Sequence, residues 1–192
     1  MSNGGRPEAA GLKEFLRGLS GGAGESFPDR KPGAVSVIFM ETDDGPALVF
    51  TLRTPDLKEH AGQISFPGGA VEPDDPSLLD AAFRETWEEI GIAPEELEPL
   101  GALPLQPVLD YWVIHPFLAW WPRPRPLRPN PAEVARIIIT PLTELVAQHQ
   151  RECWLIPDPA KSCRYYISGE TLWGATARIV GRLLDRLSEA GF

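Results

Sequence analysis

The sequence predicts an α/β fold of the α+β type, an α/β/α sandwich in which helices cover both faces of a mixed central β-sheet. Strand-like segments at 34–41 and 46–53 precede a long helical segment at 76–90, and a second amphipathic helix closes the chain. Elements in this order bury their apolar faces most simply as layers around one sheet. The chain has 192 residues, of which 43% are hydrophobic, so it is large enough for one domain with its own core.

The first third of the chain predicts a helix and a hairpin. Apolar side chains recur at helical spacing at Leu12, Phe15, Leu16 and Leu19. A linker rich in glycine and proline follows over 20–33. Segments 34–41 and 46–53 flank an Asp-Asp-Gly turn, which predicts a hairpin. We therefore divide the chain into an N-terminal tail with a short helix, 1–32, and a main domain, 33–192.

The middle of the chain predicts a short strand at 63–66 and then the most regular helix, 76–90. On that helix one apolar side is expected to pack on the sheet, formed by Leu79, Phe83, Trp87 and Ile90. The elements after it are expected to be strands at 97–108 and 110–121, a proline-rich loop at 121–131, a strand at 133–140, a helix at 141–150, a strand pair around 152–168 and a terminal helix from Leu172.

Charge and composition exclude several classes of function. The net charge of −9 argues against non-specific binding to nucleic acid. No apolar run reaches the roughly 18 residues of a membrane span, and the N-terminus lacks a secretory pattern, so we expect a cytoplasmic protein. Cys153 and Cys163 are then expected to be reduced. An acidic protein that binds a polyanion needs a divalent cation and a local basic patch.

The helix at 76–90 carries three carboxylates on one side. Glu85, Glu88 and Glu89 fall within about 100° of arc, opposite the apolar side. Like charges at this spacing repel each other, so the arrangement favours a bound cation, and oxygen ligands suit Mg²⁺ or, as a substitute, Mn²⁺. Arg84 is placed one turn before Glu88 and can hold its carboxylate. A solvated acidic face is the alternative.

Two glycines precede this helix. Gly68 and Gly69 close the strand at 63–66 and allow the backbone to approach a phosphate or a metal ion closely. Their amides and carbonyls can then serve the same ion as the helix, and we include Gly69 among the expected metal ligands. An ordinary turn is the alternative.

The segment from Gly69 to Ile92 resembles a Nudix box, with the pattern G-x5-E-x7-R-E-U-x-E-E-x-G-U, where U is aliphatic. The matching positions are Gly69, Arg84, Glu85, Glu88, Glu89, Gly91 and Ile92. The stretch from Gly69 to Arg84 is one residue too long, and Thr86 stands at an aliphatic position. The box glutamate, counted back from the arginine, falls at Pro76, so Glu72, Asp74 or Asp75 is expected to replace it. The resemblance implies the Nudix fold.

The segment 48–69 resembles the signature of the coenzyme A diphosphatases of that superfamily: T-x-R-S/T, then L-x-x-H-x-G-Q, then F-P-G-G. The matching residues are Thr51, Arg53, Thr54, Leu57, His60, Gly62, Gln63, Phe66, Pro67, Gly68 and Gly69. The segment LWGATARI also looks like the terminal helix of that subfamily. This resemblance implies Mg²⁺-dependent hydrolysis of coenzyme A to 3′,5′-ADP and 4′-phosphopantetheine.

The resemblance also implies roles for individual residues. Glu85 and Glu89, aided by Glu88, hold the metal ion, and Arg84 supports them. Gly68 and Gly69 approach the substrate, which is gripped by Arg53, Lys58, His60 and Gln63. The residue that deprotonates water is open between a box glutamate and a later one such as Glu133.

Two other functions remain open at this point. One is a Nudix enzyme for another nucleotide, such as ADP-ribose, NADH or a noncanonical nucleoside triphosphate. The other is an inactive Nudix module that only binds a nucleotide. The expected partner is a small molecule, with neither nucleic acid nor membrane, and the subfamily resemblance suggests a homodimer.

Overall fold

The structure is a computed structural model, and it describes residues 9–19, 26–57, 60–108, 111–152 and 164–192. Its helices are α1 (Ala9–Gly18), α2 (Leu78–Ile90), α3 (Leu142–Glu152) and α4 (Gly174–Glu189), with a short 3₁₀ helix at Pro94–Glu96. Its strands are β1 (Lys31–Thr42), β2 (Gly45–Arg53), β3 (Ile64–Ser65), β4 (Gly68–Ala70), β5 (Glu98–Ala102), β6 (Gln106–Val108), β7 (Trp112–Trp121), β8 (Val134–Pro141), β9 (Tyr165–Ile167) and β10 (Glu170–Leu172).

Strand β1 lies in the middle of the main sheet. It pairs antiparallel with β2 and β4 and parallel with β7. Strand β2 also pairs with β3 and β8, and β7 also pairs with β5 and β6. The predicted hairpin and the mixed sheet are therefore confirmed. Strands β9 and β10 form a separate two-stranded sheet.

The side chains of β1 alternate between two cores, because successive residues of a strand point to opposite faces. Val37 and Phe39 belong to one core, and Ile38 and Met40 belong to the other. Helices α1, α3 and α4 contribute to the first core, through residues that include Leu12, Leu16, Leu145, Leu183 and Leu187. Helix α2 contributes to the second core. Helices thus cover both faces of the sheet, as predicted.

Helix α2 is fixed at both ends by local capping. The Ser77 side chain accepts a hydrogen bond from the Asp80 amide, and Gly91 ends the helix in the left-handed region with φ 76°. The helix therefore begins at Leu78, two residues later than the expected start at 76. Its hydrophobic face also differs from the predicted one, because Trp87 is 52% exposed.

Small side chains, instead of Trp87, form part of the face of α2 that packs on the sheet. Ala81, Ala82 and Thr86 are buried on α2, and this lets the helix lie close to β1. The Thr86 hydroxyl donates to Ala82 O (2.7 Å) and lies 2.8 Å from Ser36 Oγ. Thr86 stands at an aliphatic position of the box, and its hydroxyl therefore has hydrogen-bond partners within the core.

Several other predictions need a correction or fall outside the described residues. Segment 97–108 is two strands, β5 and β6, with a break at Pro104, which has no amide hydrogen for the ladder. The strand pair expected around 152–168 lies partly at 153–163, outside the described residues, and the observed pair is β9–β10. Cys153 and Cys163 are also outside them. No helix in the described ranges is long and apolar enough to cross a membrane.

The N-terminal helix is confirmed as α1, and it packs on β5 with Leu12 and Leu16 fully buried in the core. Leu19 follows the helix and is also buried. The division of the chain at residue 33 stays a prediction, and β1 already begins at Lys31.

Candidate active site

The two glycines of β4 form the floor of the candidate site. Gly68 and Gly69 pair with Val35 and Ala34 of β1. Gly68 has φ 149°, and a side chain there would lie 2.6 Å from the Val35 α carbon. Gly68 is therefore required both by its backbone conformation and by close contact with β1. Strand β4 can therefore pair closely with β1 within the sheet and contact α2.

Glu89 is the most buried carboxylate of the site. It is 1% exposed, so the expectation that it faces away from the core is wrong. The Gly68 amide donates to Glu89 Oε2 over 3.4 Å, and an Arg53 guanidinium nitrogen lies 3.6 Å from Glu89 Oε1. Burial raises the pKa of Glu89 to about 8, although the charge of Arg53 opposes this rise. The site thus holds a carboxylate whose charge the protein compensates only in part.

Glu85 lies beside the second glycine. A methyl group on Gly69 would lie 2.6 Å from the Glu85 carboxyl carbon, so the carboxylate rests directly on the backbone of β4. Burial raises the pKa of Glu85 above its usual value, and this effect outweighs the opposing hydrogen bond from Arg84. The charge of Glu133 further raises the pKa of both Glu85 and Glu89.

Glu88 differs from the other two carboxylates. Its side chain is 48% exposed, and its Oε2 accepts a hydrogen bond from Arg84 Nη1 at 3.1 Å. Glu85 and Glu89 therefore contact β4, whereas Glu88 faces solvent. The three carboxylates share one side of α2, but they differ widely in exposure.

Arg84 connects the loop before α2 to the carboxylates. Its Nε and Nη2 donate to the two oxygens of Asp75 at 2.9 and 3.0 Å, and Nη2 also donates to Ala70 O at 3.1 Å. The same guanidinium donates to Glu85 Oε1 at 2.9 Å. The hydrogen bond from Arg84 lowers the pKa of Asp75, and its reciprocal effect raises the pKa of Arg84. Among Glu72, Asp74 and Asp75, the last is the partner of the box arginine.

Counting forward explains the irregular spacing of the box. Asp75 is separated from Gly69 by five residues, as the box glutamate is in the pattern, so the extra residue lies between Asp75 and Arg84. An aspartate is shorter than a glutamate by one methylene. It still forms a two-pronged pair with the arginine.

The chemistry of these residues fits a hard divalent cation. Glu85 and Glu89 offer carboxylate oxygens beside the backbone of Gly69, and burial makes their negative charges costly without a cation. In the ranges that the structure describes, no three His, Cys, Asp or Glu side chains are gathered into a ready set of ligands. Arg84 holds Glu85 and Glu88 in this arrangement. The metal role of Glu85, Glu88, Glu89 and Gly69 stays a prediction.

Most of the predicted substrate-binding residues line one cleft. The cleft has a volume of about 610 Å³, and it is lined on this side by Arg53, His60, Gln63, Gly68 and Gly69. Lys58 lies outside the described residues. The structure thus brings residues from the upstream signature and from the start of the box to one cavity.

The polar groups of this side of the cleft are only partly satisfied. His60 has φ 57°, and its Nδ1 lies 3.2 Å from Gln63 Oε1, which holds the loop in a tight turn. Arg53 Nε is buried and has no hydrogen-bond partner among the described residues. An unpartnered guanidinium nitrogen beside a cleft is a suitable donor for an anion.

The opposite wall of the cleft is formed by residues that the sequence does not mark as part of a site. It is formed by Trp112 of β7 and by the start of α4, with Trp173, Thr176 and Arg178. Trp112 is partly buried, and its side chain lines the cleft. No local pattern shows that the start of a terminal helix faces β4, which lies about a hundred residues earlier in the chain. The only signal in the sequence was the resemblance of LWGATARI to the terminal helix of the coenzyme A diphosphatases.

Known proteins resemble the chain in sequence and in fold. The NUDIX domain family matches residues 30–155. A protein of Pectobacterium atrosepticum named "Uncharacterized Nudix hydrolase NudL" is 34% identical over 147 residues, which make up 75% of this chain and 77% of that protein.

Two solved structures share the fold at low sequence identity. The Nudix hydrolase RenU from M. smegmatis superposes with a TM-score of 0.60 at 17% identity, covering 89% of this chain and 94% of that chain. The NUDIX domain of Shewanella oneidensis NrtR, complexed with ADP ribose, superposes with a TM-score of 0.56 at 15% identity, covering 86% and 91%. These two likenesses concern the fold alone.

Proposed function

The chain belongs to the NUDIX family and is a hydrolase of nucleoside diphosphate derivatives, and from this premise we propose that its substrate is coenzyme A or an acylated form of it. The products would be 3′,5′-ADP and 4′-phosphopantetheine, or its acyl form. One observation carries the proposal. Arg53, His60 and Gln63 of the upstream signature share a cleft with Gly68 and Gly69, which adjoin the carboxylates of α2.

The proposed reaction is hydrolysis of the diphosphate bridge. The oxygen of water attacks one phosphorus, the bond from that phosphorus to the bridging oxygen breaks, and the bridging oxygen leaves with the other phosphate. One proton of the water passes to a carboxylate. Mg²⁺, held by Glu85 and Glu89 with help from Glu88 and the Gly69 carbonyl, would neutralise the diphosphate and lower the pKa of the attacking water.

Residues of the upstream signature are assigned to the diphosphate, and a glutamate is assigned to accept the proton of the attacking water. Arg53 is assigned to the diphosphate. Its buried Nε has no hydrogen-bond partner among the described residues, and its Nη1 lies 3.6 Å from Glu89 Oε1. His60 and Gln63 hold each other and are assigned to the loop that borders the diphosphate. The base is open between a box glutamate and Glu133, and the effect of Glu133 on the pKa of Glu85 and Glu89 supports its inclusion.

Arg84 and Asp75 are assigned a positioning role. Arg84 reaches Glu85, Glu88 and Ala70 O while it is anchored on Asp75. An arginine that is anchored in this way sets the direction of the carboxylates without touching the substrate. A cytoplasmic location and a homodimer remain predictions.

The proposal is tested by incubating the purified protein with coenzyme A and Mg²⁺ and resolving the products by mass spectrometry. We expect 3′,5′-ADP and 4′-phosphopantetheine in equal amounts. A panel with ADP-ribose, NADH and noncanonical nucleoside triphosphates ranks the substrates by kcat/KM. A higher kcat/KM for one of these would replace coenzyme A. Nucleotide binding without turnover in both Mg²⁺ and Mn²⁺ would identify an inactive module.

A further inference from the structure

The wall of the cleft formed by β7 and α4 has no role in the reaction described above. It contains Trp112 and Trp173, which are aromatic, and Arg178, which is charged. The opposite wall holds the glycines of β4 and Arg53, which adjoin the carboxylates. A substrate with its diphosphate at β4 would therefore extend toward α4 with one of its two remaining parts.

Arg178 is a cation without a counter-ion in the described part of the chain. It is partly buried, and no described residue forms a hydrogen bond or ion pair with its guanidinium. Burial lowers its pKa, and the like charge of Arg182 lowers it further. Two arginines four residues apart on one helix repel each other, and burial of one of them adds a desolvation penalty. An anion in the cleft would relieve both unfavourable effects.

The two tryptophans limit which part of the substrate fits here. Trp173 is 50% exposed although it lines a cleft, and Trp112 contributes a partly buried ring from β7. Exposed indole rings stack well on nucleobases, with aromatic stacking worth about 1–3 kcal/mol per base. A pantetheine arm has neither a ring nor a charge, and it would leave Arg178 without a partner.

We propose that this wall binds the nucleoside half of the substrate, with Arg178 holding a phosphomonoester on its ribose and Trp173 stacking on its base. The inference rests on the proposed function, because it places the diphosphate at β4. It makes Arg178 the residue that distinguishes nucleotides with an additional ribose phosphate from those without one. In coenzyme A this group is the 3′-phosphate.

The test compares coenzyme A with dephospho-coenzyme A, which lacks the 3′-phosphate. R178Q should lower kcat/KM for coenzyme A by about tenfold or more, mainly through KM, because it removes a charge-assisted hydrogen bond. It should change kcat/KM for dephospho-coenzyme A less than about twofold, since that substrate never makes this bond. R178K should keep part of the preference. W173L should lower kcat/KM for both substrates.

The matched control is R186Q, which removes the same charge from the same helix. Arg186 is exposed and does not line the cleft, so this variant should behave as the wild type with both substrates. The inference is overturned if R178Q slows both substrates equally, or if it slows neither. Circular dichroism melts of all variants identify any that fail to fold, in which case R178K decides.

A binding measurement separates this inference from the proposed function. Calorimetric titration without metal compares adenosine 3′,5′-bisphosphate with AMP. A preference for the bisphosphate that R178Q abolishes supports the subsite even if the wild type does not cleave coenzyme A. Equal binding of both nucleotides by wild type and R178Q overturns the subsite even if coenzyme A is cleaved.

Discussion

The carboxylate of Glu85 rests on the α carbon of Gly69. A methyl group at this position would lie 2.6 Å from the Glu85 carboxyl carbon and from Oε2. The contact joins β4 to α2. Strand β4 is expected to lie against the substrate, and α2 is expected to hold the metal ion. It also explains why residue 69 has no side chain.

Gly69→Ala should therefore impair turnover more than folding. The new methyl group would meet the carboxylate at the end of the Glu85 side chain. Because this side chain has several rotatable bonds, the carboxylate would turn aside and leave its position. We expect kcat to fall on the order of tenfold to 100-fold, since a small misplacement of a catalytic group has this effect. The matched control is Gly68→Ala, where the added atom meets the backbone of β1.

Gly68→Ala should lower the free energy of unfolding by about 2 kcal/mol or more, from steric overlap and from an unfavourable φ. Thermal melts and steady-state kinetics of both variants check this contrast. A Gly69→Ala protein with wild-type kcat would show that the contact with Glu85 has no catalytic importance.

Asp75→Asn should weaken the binding of Mg²⁺ although Asp75 is not an expected ligand. Arg84 is held by Asp75 through two hydrogen bonds. Without that anchor Arg84 would pair more fully with Glu85 and Glu88 and would compete with the cation. The Mg²⁺ concentration for half-maximal activity should rise several-fold. Asp74→Asn is the control, because Asp74 is exposed and has no such contact, and a comparable rise in that variant would contradict the assignment.

The metal-free protein should lose stability as pH rises from 4.5 to above 8. The pKa of Glu89 is raised to about 8 in the folded protein from 4.5, so the folded state binds the proton more tightly than the unfolded state. The resulting stabilisation is complete below pH 4.5 and is lost as pH rises through about 8, a loss on the order of a few kcal/mol. Glu85, with its raised pKa, acts in the same direction.

Mg²⁺ should reverse this loss, because it favours the ionised carboxylates. Differential scanning calorimetry should show a larger increase in Tm on addition of Mg²⁺ at pH 8 than at pH 5. In Glu89→Gln, both the pH-dependent loss and the response to Mg²⁺ should shrink. If Mg²⁺ raised Tm equally at both pH values in both proteins, Glu89 would not be linked to the cation.

Tyr165→Phe should destabilise the part of the fold that carries the α4 wall. The Tyr165 hydroxyl lies 2.9 Å from Nδ1 of the buried His149, and His149 Nε2 lies 2.8 Å from Asp185 Oδ1. These contacts connect β9, α3 and α4. Removing the hydroxyl leaves a buried ring nitrogen without a partner, which costs about 1–2 kcal/mol. Tyr166→Phe is the control, because Tyr166 is exposed, and urea unfolding of both variants should show no change there.

The sequence was most informative where local chemistry decides the structure. The apolar periodicity of 76–90 predicts α2 and its end at Ile90, and the alternation of Val37, Ile38 and Phe39 determines both faces of β1. Such features depend on residues close in sequence, so periodicity predicts them, whereas the Ser77 cap that moves the start of α2 to Leu78 was not anticipated.

Other features could not be predicted because they depend on contacts between distant segments. Trp87 has the periodicity of a core residue, but Ala81, Ala82 and Thr86 bring α2 so close to the sheet that its ring remains outside. Glu89 belongs to a charged side of the helix, but β4 covers it. The packing of α4 on the cleft was likewise unpredictable without the sheet order.

The most direct measurement is the rate at which Glu89→Gln hydrolyses coenzyme A in saturating Mg²⁺, relative to wild type. Glutamine has nearly the same shape and keeps the fold, but it carries no charge for a cation. The expected result is a loss of kcat of about 100-fold to 1,000-fold, comparable to removal of one group that stabilises the transition state. A variant that cleaved coenzyme A at the wild-type rate would contradict a metal site built on the buried carboxylate of α2.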